Sequence, residues 1–219
     1  MSVIAIDGTF ASGKGTLARK LAAHYGFACL DTGKIYRAVA AKALNSHTSL
    51  EDAKACAQLA ATLTLSDLDN PELKSGTIGA AASKIAVHAE VRKALLAFQK
   101  DFAKNPGKNV KGKNFKGAIL DGRDIGTVIC PDADVKLYID AAPDVRAQRR
   151  HSELTGYGED IIYEDVLAQL IERDHRDMNR TEAPLKPAAN AHLLDTTNLA
   201  IDAAFEMAIS IIDAVLRST

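Results

Sequence analysis

The sequence predicts an α/β protein, a parallel sheet with helices on both faces. Three observations predict it. Short apolar runs alternate along the chain with longer stretches of helical spacing. The first run stops at a glycine-bearing turn that opens directly into a helical stretch. At 219 residues and 47% hydrophobic, the chain can bury a sheet between two helix layers in one compact domain.

In order, residues 3–6 (VIAI) read as a buried strand ending at Asp7-Gly8. Residues 15–25 follow as a helix, with Leu17, Leu21 and Ala22 on one face. Residues 27–30 form a second short strand and residues 34–44 a second helix. Strand-like runs return at 118–120, 135–139 and 192–194, with helical stretches between them. Residues 48–103 interrupt the alternation with Ala-rich helical segments at 51–63 and 78–102 and a turn near Asn70-Pro71. This segment reads as an insertion between the second and third strands. Residues 104–117 (KNPGKNVKGKNFKG) have no periodicity and read as an exposed loop. In a sheet of this kind, ligands bind beyond the carboxyl ends of the strands, so the polar residues just after each apolar run are the candidates for function.

Composition limits the partners. A formal net charge of -1 gives no global attraction to nucleic acid or anionic lipid. Five lysines in residues 104–117 come with one aromatic and no helical face, so a solvated loop is expected rather than a nucleic-acid surface. Cys29, Cys56 and Cys130 are far apart and form neither a zinc pattern nor a disulfide framework. The six histidines show no metal-ligand spacing. No leader or membrane span is recognisable, and a soluble, monomeric, cytoplasmic protein without nucleic-acid or membrane partners is expected.

The residues Gly8, Thr9, Phe10, Ala11, Ser12, Gly13, Lys14, Gly15 and Thr16 have the spacing GxxxxGK followed by Gly-Thr. A strand is expected before them and a helix after, which is the context a phosphate-binding loop requires. Its N–H groups and the helix N-terminus would surround phosphate oxygens. Lys14 would face the β and γ phosphates of a nucleoside triphosphate. The hydroxyl that usually follows the lysine directly is displaced by one, to Thr16, the candidate Mg²⁺ ligand. The GKGT form is the one many nucleoside monophosphate kinases use.

Arginines gather at the same strand ends. Arg37 lies in LDTGKIYR, Arg123 in LDGRDIG, Arg146, Arg149 and Arg150 in VRAQRR, and Arg173, Arg176 and Arg180 in ERDHRDMNR. Phosphoryl transfer is catalysed largely by positioning and fixed positive charge, and the planar guanidinium fork binds phosphate at two points. Arg173, Asp177 and Arg180 share one helical face, either as a self-paired ladder or as a face presented to substrate; spacing alone leaves both open.

The segments IDGTFASGKGT, LDTGKIYRAVA, LDGRDIGTVICPDADVKLYIDA and ERDHRDMNRTEAPLKPAANAHLLDTTNL closely resemble bacterial cytidylate kinases. These transfer phosphate from ATP to CMP or dCMP. The resemblance implies a five-stranded parallel sheet, a monophosphate-binding insert at residues 48–103 and a lid at residues 151–160 (HSELTGYGED), within one domain spanning 1–219. It further implies that the loop from Gly8 to Thr16 holds ATP with Mg²⁺, and that Thr32 and Arg37 meet the monophosphate. Arg123 would reach the phosphate and Asp124 the exocyclic amine of cytosine. Ser83 and Arg92 would contact the base, Arg173 and Asp177 the ribose and phosphates, and Arg180 the phosphates, with Arg149 and Arg150 at the base of the lid. Two features depart from the family pattern. The stretch TLTLSDLDNPELKSGTIG is shorter than the family's insert and lacks its strand pattern, and the lysine-rich loop is longer than usual. The rival readings are a kinase for UMP or AMP, and a nucleotide-binding regulator, against which the absence of an NKxD-type motif stands.

Overall fold

The computed structural model describes residues 1–217 and contains a five-stranded, all-parallel sheet in the order β2-β3-β1-β4-β5. The strands are β1 (Ser2–Gly8), β2 (Ala28–Asp31), β3 (Gly117–Asp121), β4 (Val135–Asp140) and β5 (His192–Asp195). Each apolar run predicted as a strand is a strand. Alternation of side chains divides the core between the faces. Ile4 and Ile6 of β1 join Ile119, Leu137 and Ile139 on one side, while Ala5 joins Leu30, Ala118 and Leu120 on the other.

The first face is covered by helices α1 (Lys14–Tyr25) and α8 (Ile201–Arg217). Leu17, Leu21, Ala208 and Ile212 pack there, and Tyr25 donates a 2.8 Å hydrogen bond to Asp213. The second face carries α2 (Thr32–Asn45), α3 (Ala53–Ala61), α4 (Gly76–Ile85) and α5 (Ala89–Lys104). Asp31 caps α2 by accepting from the Lys34 N–H at 3.2 Å. Between α3 and α4 the chain makes two short 3₁₀ turns, Leu65–Asp69 and Pro71–Lys74, and no strand. Helices α6 (Pro143–Gly156) and α7 (Tyr163–Asn179) pair through Ala147, Leu154, Val166 and Leu170. Phe10 and Ala11 of the glycine-bearing loop pack onto this third cluster.

Three details differ from the sequence reading. The helix expected over 78–102 is broken at Ala86–His88 into α4 and α5. No Gly or Pro marks the break; it lets α4 pack on α2 and α5 on α3, and the His88 ring is held at 2.8 Å from the Leu50 carbonyl. The lid segment is helical through Gly156, so only residues 157–162 are irregular. The lysine-rich segment is exposed, as expected, but is folded into a small hairpin. It has an antiparallel bridge between Lys108 and Asn114 and is tied at its base by the Lys116 N–H to the Gly26 carbonyl, 3.2 Å. No helix among the described residues is long and apolar enough to cross a membrane.

The five parallel strands bring every polar strand end to one edge. Apart from β1, which ends Asp7-Gly8, each strand closes on an aspartate: Asp31, Asp121, Asp140 and Asp195. The insert is held to the sheet by apolar packing, with Leu95 of α5 fully buried. Leu95→Ala is therefore expected to lower unfolding stability by about 2–5 kcal/mol, measured by urea denaturation.

Candidate active site

The loop between β1 and α1 is shaped by close backbone approach. A Cβ on Gly8 (φ +145°) would lie 1.8 Å from the Ile139 carbonyl oxygen on β4, so only glycine fits where the loop leaves the sheet. Ala11 adopts a left-handed φ of 60° and Gly13 one of 92°. The Ser12 hydroxyl donates to the Thr9 carbonyl at 3.0 Å, and the Lys14 ammonium donates to the same oxygen at 2.6 Å. Thr9 itself donates to Asp140 at 2.6 Å. From Phe10 to Thr16, no backbone N–H donates within the chain among the described residues. This ring of free donors at a helix N-terminus is what an anion site requires.

The loop forms the floor of a cavity of about 640 Å³. Its walls carry Arg37 from α2, Arg123 from the turn after β3, Arg149 and Arg150 from α6, and Arg173 from α7. The group Arg146, Arg149 and Arg150 divides into different tasks. Arg146 is buried; it donates to the carbonyls of Ala141 (2.7 Å) and Phe10 (3.0 Å) and pairs with Asp174 at 2.6 Å. It locks the phosphate loop to α6 and α7. Arg149 donates to the Thr196 carbonyl (2.7 Å) and hydroxyl (3.2 Å), while that hydroxyl reaches the Ser12 carbonyl at 2.9 Å. Arg150 pairs with Glu153 at 2.7 Å. Arg37 uses one nitrogen on the Leu73 carbonyl, 3.0 Å, and burial pushes its pKa down.

A second cluster lies beyond Arg123. Arg123 donates to Asp177 at 2.9 Å. Asp124 is held by Arg92 at 2.5 Å and by Arg180 at 3.5 Å, and Arg92 lies 5.9 Å over the Tyr36 ring. Arg180 also donates to the Ala183 carbonyl at 2.8 Å. Burial opposes the charge of Asp177, but Arg123, Arg173 and Arg180 outweigh it, and its pKa falls. Ser83 is buried and its hydroxyl has no partner among the described residues. Thr32 is also buried, and its hydroxyl donates to the Asp121 carbonyl at 2.8 Å. Arg92, Asp124, Arg180, Ser83, Asp177 and Thr32 do not line the cavity; they form the closed ground beside it. Arg173, Asp177 and Arg180 do share a face, but Asp177 is bonded to Arg123 rather than to either helix neighbour.

The segment after α6 meets the start of α4. Glu159 accepts the Gly76 N–H at the start of α4 at 2.7 Å, and Lys74 lies 5.5 Å over the Tyr157 ring.

The family model described as Cytidylate kinase matches residues 4–214. The chain belongs to the cytidylate kinase family. It is 51% identical over 213 residues to a cytidylate kinase of Rhodopseudomonas palustris, covering 97% of this chain and 96% of that one. It is 52% identical over 212 residues to one from Xanthobacter autotrophicus, covering 97% of both. Among solved structures, an uncharacterized protein from Eubacterium ventriosum matches with a TM-score of 0.53 at 16% identity, over 98% of this chain and 99% of that one, a likeness of fold.

For a cytidylate kinase chain, the sequence reading overlooked the carboxylates around Lys14. Asp31 and Asp121 are register partners at the ends of β2 and β3, and both line the cavity. Burial and the charge of Arg123 push the Lys14 pKa down, while burial pushes Asp121 up and Asp31 adds repulsion. The signal was present, since each aspartate directly follows an apolar run. Asp121 also approaches the GKGT segment. A Cβ at residue 15 would lie 3.2 Å from Asp121 Oδ2, a tight contact that the carboxylate would have to shift slightly to admit. Thr16 is exposed, and its Oγ accepts from Arg19 at 3.2 Å. No group of protein ligands sufficient for a metal exists among the described residues. A hydroxyl with neighbouring carboxylates is a hard oxygen set that suits Mg²⁺ brought in on phosphates, rather than a dedicated metal cage.

Asp7 was also missed. Beneath the loop, its two oxygens accept the N–H groups of Ile125 and Gly126, both at 2.7 Å, and so fix the wide helical turn Ile125–Ile129 that follows Asp124. Burial raises its pKa to about 6, against the pull of those two bonds.

Two outcomes are expected. Arg146→Ala leaves Asp174 without its buried partner and costs about 3–5 kcal/mol in urea unfolding. Asp7 binds its proton more tightly folded than unfolded. Its contribution is fully present below the unfolded pKa near 3.8 and is lost as pH rises through about 6. Relative to Asp7→Asn, wild-type stability should therefore fall across pH 4–6, beyond any constant offset, in denaturation titrations of both proteins.

Proposed function

We propose that the chain transfers the γ-phosphoryl group of ATP to the 5′-phosphate of CMP or dCMP, giving CDP or dCDP. The observation that supports it most is the single cavity that joins a phosphate-binding loop to arginines from four separate elements. Two anionic substrates that react must be brought together against their own repulsion, and one positively lined chamber does this.

In this reading the N–H groups of residues 10–16 and Lys14 hold the donor phosphates. Arg37 and Arg123 hold the acceptor phosphate, and Arg149, Arg150 and Arg173 compensate charge as the phosphoryl group moves, with Arg180, off the cavity wall, steadying Asp124. The acceptor oxygen is already ionised near neutral pH, so no strong general base is required. Arg92, Asp124 and the unpartnered Ser83 hydroxyl read the base, with Thr32 and Asp177 fixing Arg123 and its turn. Thr16, with Asp31 and Asp121 behind it, would hold Mg²⁺ on the donor phosphates, where the ion supplies charge neutralisation. The contact between Glu159 and Gly76 closes lid onto insert and keeps water from the donor. In this reading the protein is a monomer acting on soluble nucleotides in the cytoplasm.

A coupled assay across CMP, dCMP, UMP, AMP and GMP tests the reading. CMP and dCMP should turn over fastest; AMP turning over well above CMP would overturn it. Lys14→Ala is expected to lower kcat on the order of 10³-fold, and a mild loss removes the lysine from its assigned role.

A further inference from the structure

Arg173 is the one guanidinium on the cavity wall with no polar partner among the described residues. It donates no hydrogen bond and makes no ion pair, and its Nε is buried without an acceptor. Burial and the charge of Arg123 both push its pKa down; the nearby Asp177 carboxylate opposes this without bonding to it, and Arg37 and Arg150 add to the repulsion. An unpaired cation among like charges would ordinarily turn away toward water. Here it lies over the ring of Phe10, with its central carbon 4.1 Å from the ring centroid. Arg150 approaches the same ring at 5.7 Å.

The ring is itself fixed. Phe10 packs on the cluster of Ala147, Leu154, Val166 and Leu170, and its carbonyl is held by Arg146. The electron-rich face of an aromatic ring attracts a guanidinium without occupying its N–H groups. A carboxylate partner would hold the arginine equally well, but it would compete with phosphate for the same donors.

We propose that Phe10 is a positioning residue for phosphoryl transfer: its ring holds Arg173 over the phosphate loop with its N–H donors free for the transferred group, while Arg150, which approaches the same ring, stays paired with Glu153. This deepens the kinase reading above and rests on it. The loop residue thereby does two things, its backbone N–H facing the donor phosphates and its side chain setting the opposing cation.

The test compares Phe10→Leu, Phe10→Trp and Arg173→Ala, singly and with Phe10→Leu combined with Arg173→Ala. Leucine keeps apolar bulk and lacks the aromatic face; tryptophan keeps the face. Phe10→Leu should lower kcat about 5- to 30-fold with little change in KM for ATP. Phe10→Trp should recover most of that loss, and in the Arg173→Ala background Phe10→Leu should cost no more than about twofold. Phe10→Leu within twofold of wild type, a Trp variant as slow as the Leu variant, or fully additive losses would each overturn the proposal.

A readout independent of turnover is the NMR resonance of the Arg173 Nε–H in the substrate-free protein. It should be shifted upfield by the ring and should move back in Phe10→Leu; an unchanged resonance also overturns the proposal. Wild type inactive on every nucleoside monophosphate, with the ring shift present, would instead defeat the kinase reading alone and leave the stacking established.

Discussion

The site depends on gathering guanidinium groups around one chamber before any phosphate is there to neutralise them. Like charges at this spacing repel, and burial removes the water that would screen them. The fold answers with a different device for each arginine. Arg146 has the buried carboxylate of Asp174, Arg123 has Asp177, and Arg92 and Arg180 share Asp124. Arg37 and Arg149 are held by carbonyls, and Arg173 by an aromatic face. The division has a consequence for chemistry. Arginines tied to carboxylates are rigid and partly neutralised, which suits positioning. Those tied to carbonyls or a ring keep full charge and free donors, which suits an anion that arrives and leaves.

The same edge of the sheet carries the opposite sign. Parallel pairing places Asp31 beside Asp121, and both near the start of α1. In isolation these carboxylates would repel a triphosphate. Lys14 lies in their field, and in the proposed reading a divalent cation carried on the phosphates would offset the rest of their charge. The missing side chain at Gly15 belongs to this arrangement. It leaves the Asp121 carboxylate uncrowded at the helix start, where a Cβ would come within 3.2 Å of Oδ2.

How much of this could be read from the sequence follows from how local each feature is. The five strands and the glycine-bearing turn from β1 into α1 were legible because apolar runs and glycine spacing act within a few residues. The arginines were legible as a group, since strand ends in a parallel sheet converge. Their separate tasks were not. Arg146, Arg149 and Arg150 lie within five residues of sequence; the i,i+3 pairing of Arg150 with Glu153 is local to α6 and legible from spacing, but the reach of Arg146 to Asp174 and of Arg149 to Thr196 is decided by the packing of α6 against α7 and the end of β5. The break between α4 and α5 at Ala86–His88 carries no Gly or Pro, and tertiary packing sets it against local propensity. Asp7 reads in sequence as the end of a strand, and its bonds to Ile125 and Gly126 lie more than a hundred residues away.

The two halves of the site are in different states of readiness, and this orders the events in the proposed reaction. The phosphate loop has free N–H groups, Arg173 has free donors, and the cavity is open to a polyphosphate as it stands. On the base side, Asp124 already accepts from Arg92 and faces Arg180, and none of the three reaches the cavity. A base that engages Asp124 must first displace or share an internal ion pair. Its exocyclic donor has to replace a charge-assisted bond, which a base presenting only acceptors at that edge cannot do. In the proposed reading, discrimination therefore arises from the internal pair itself: the Arg92–Asp124 bond sets the threshold that a base engaging Asp124 would have to exceed.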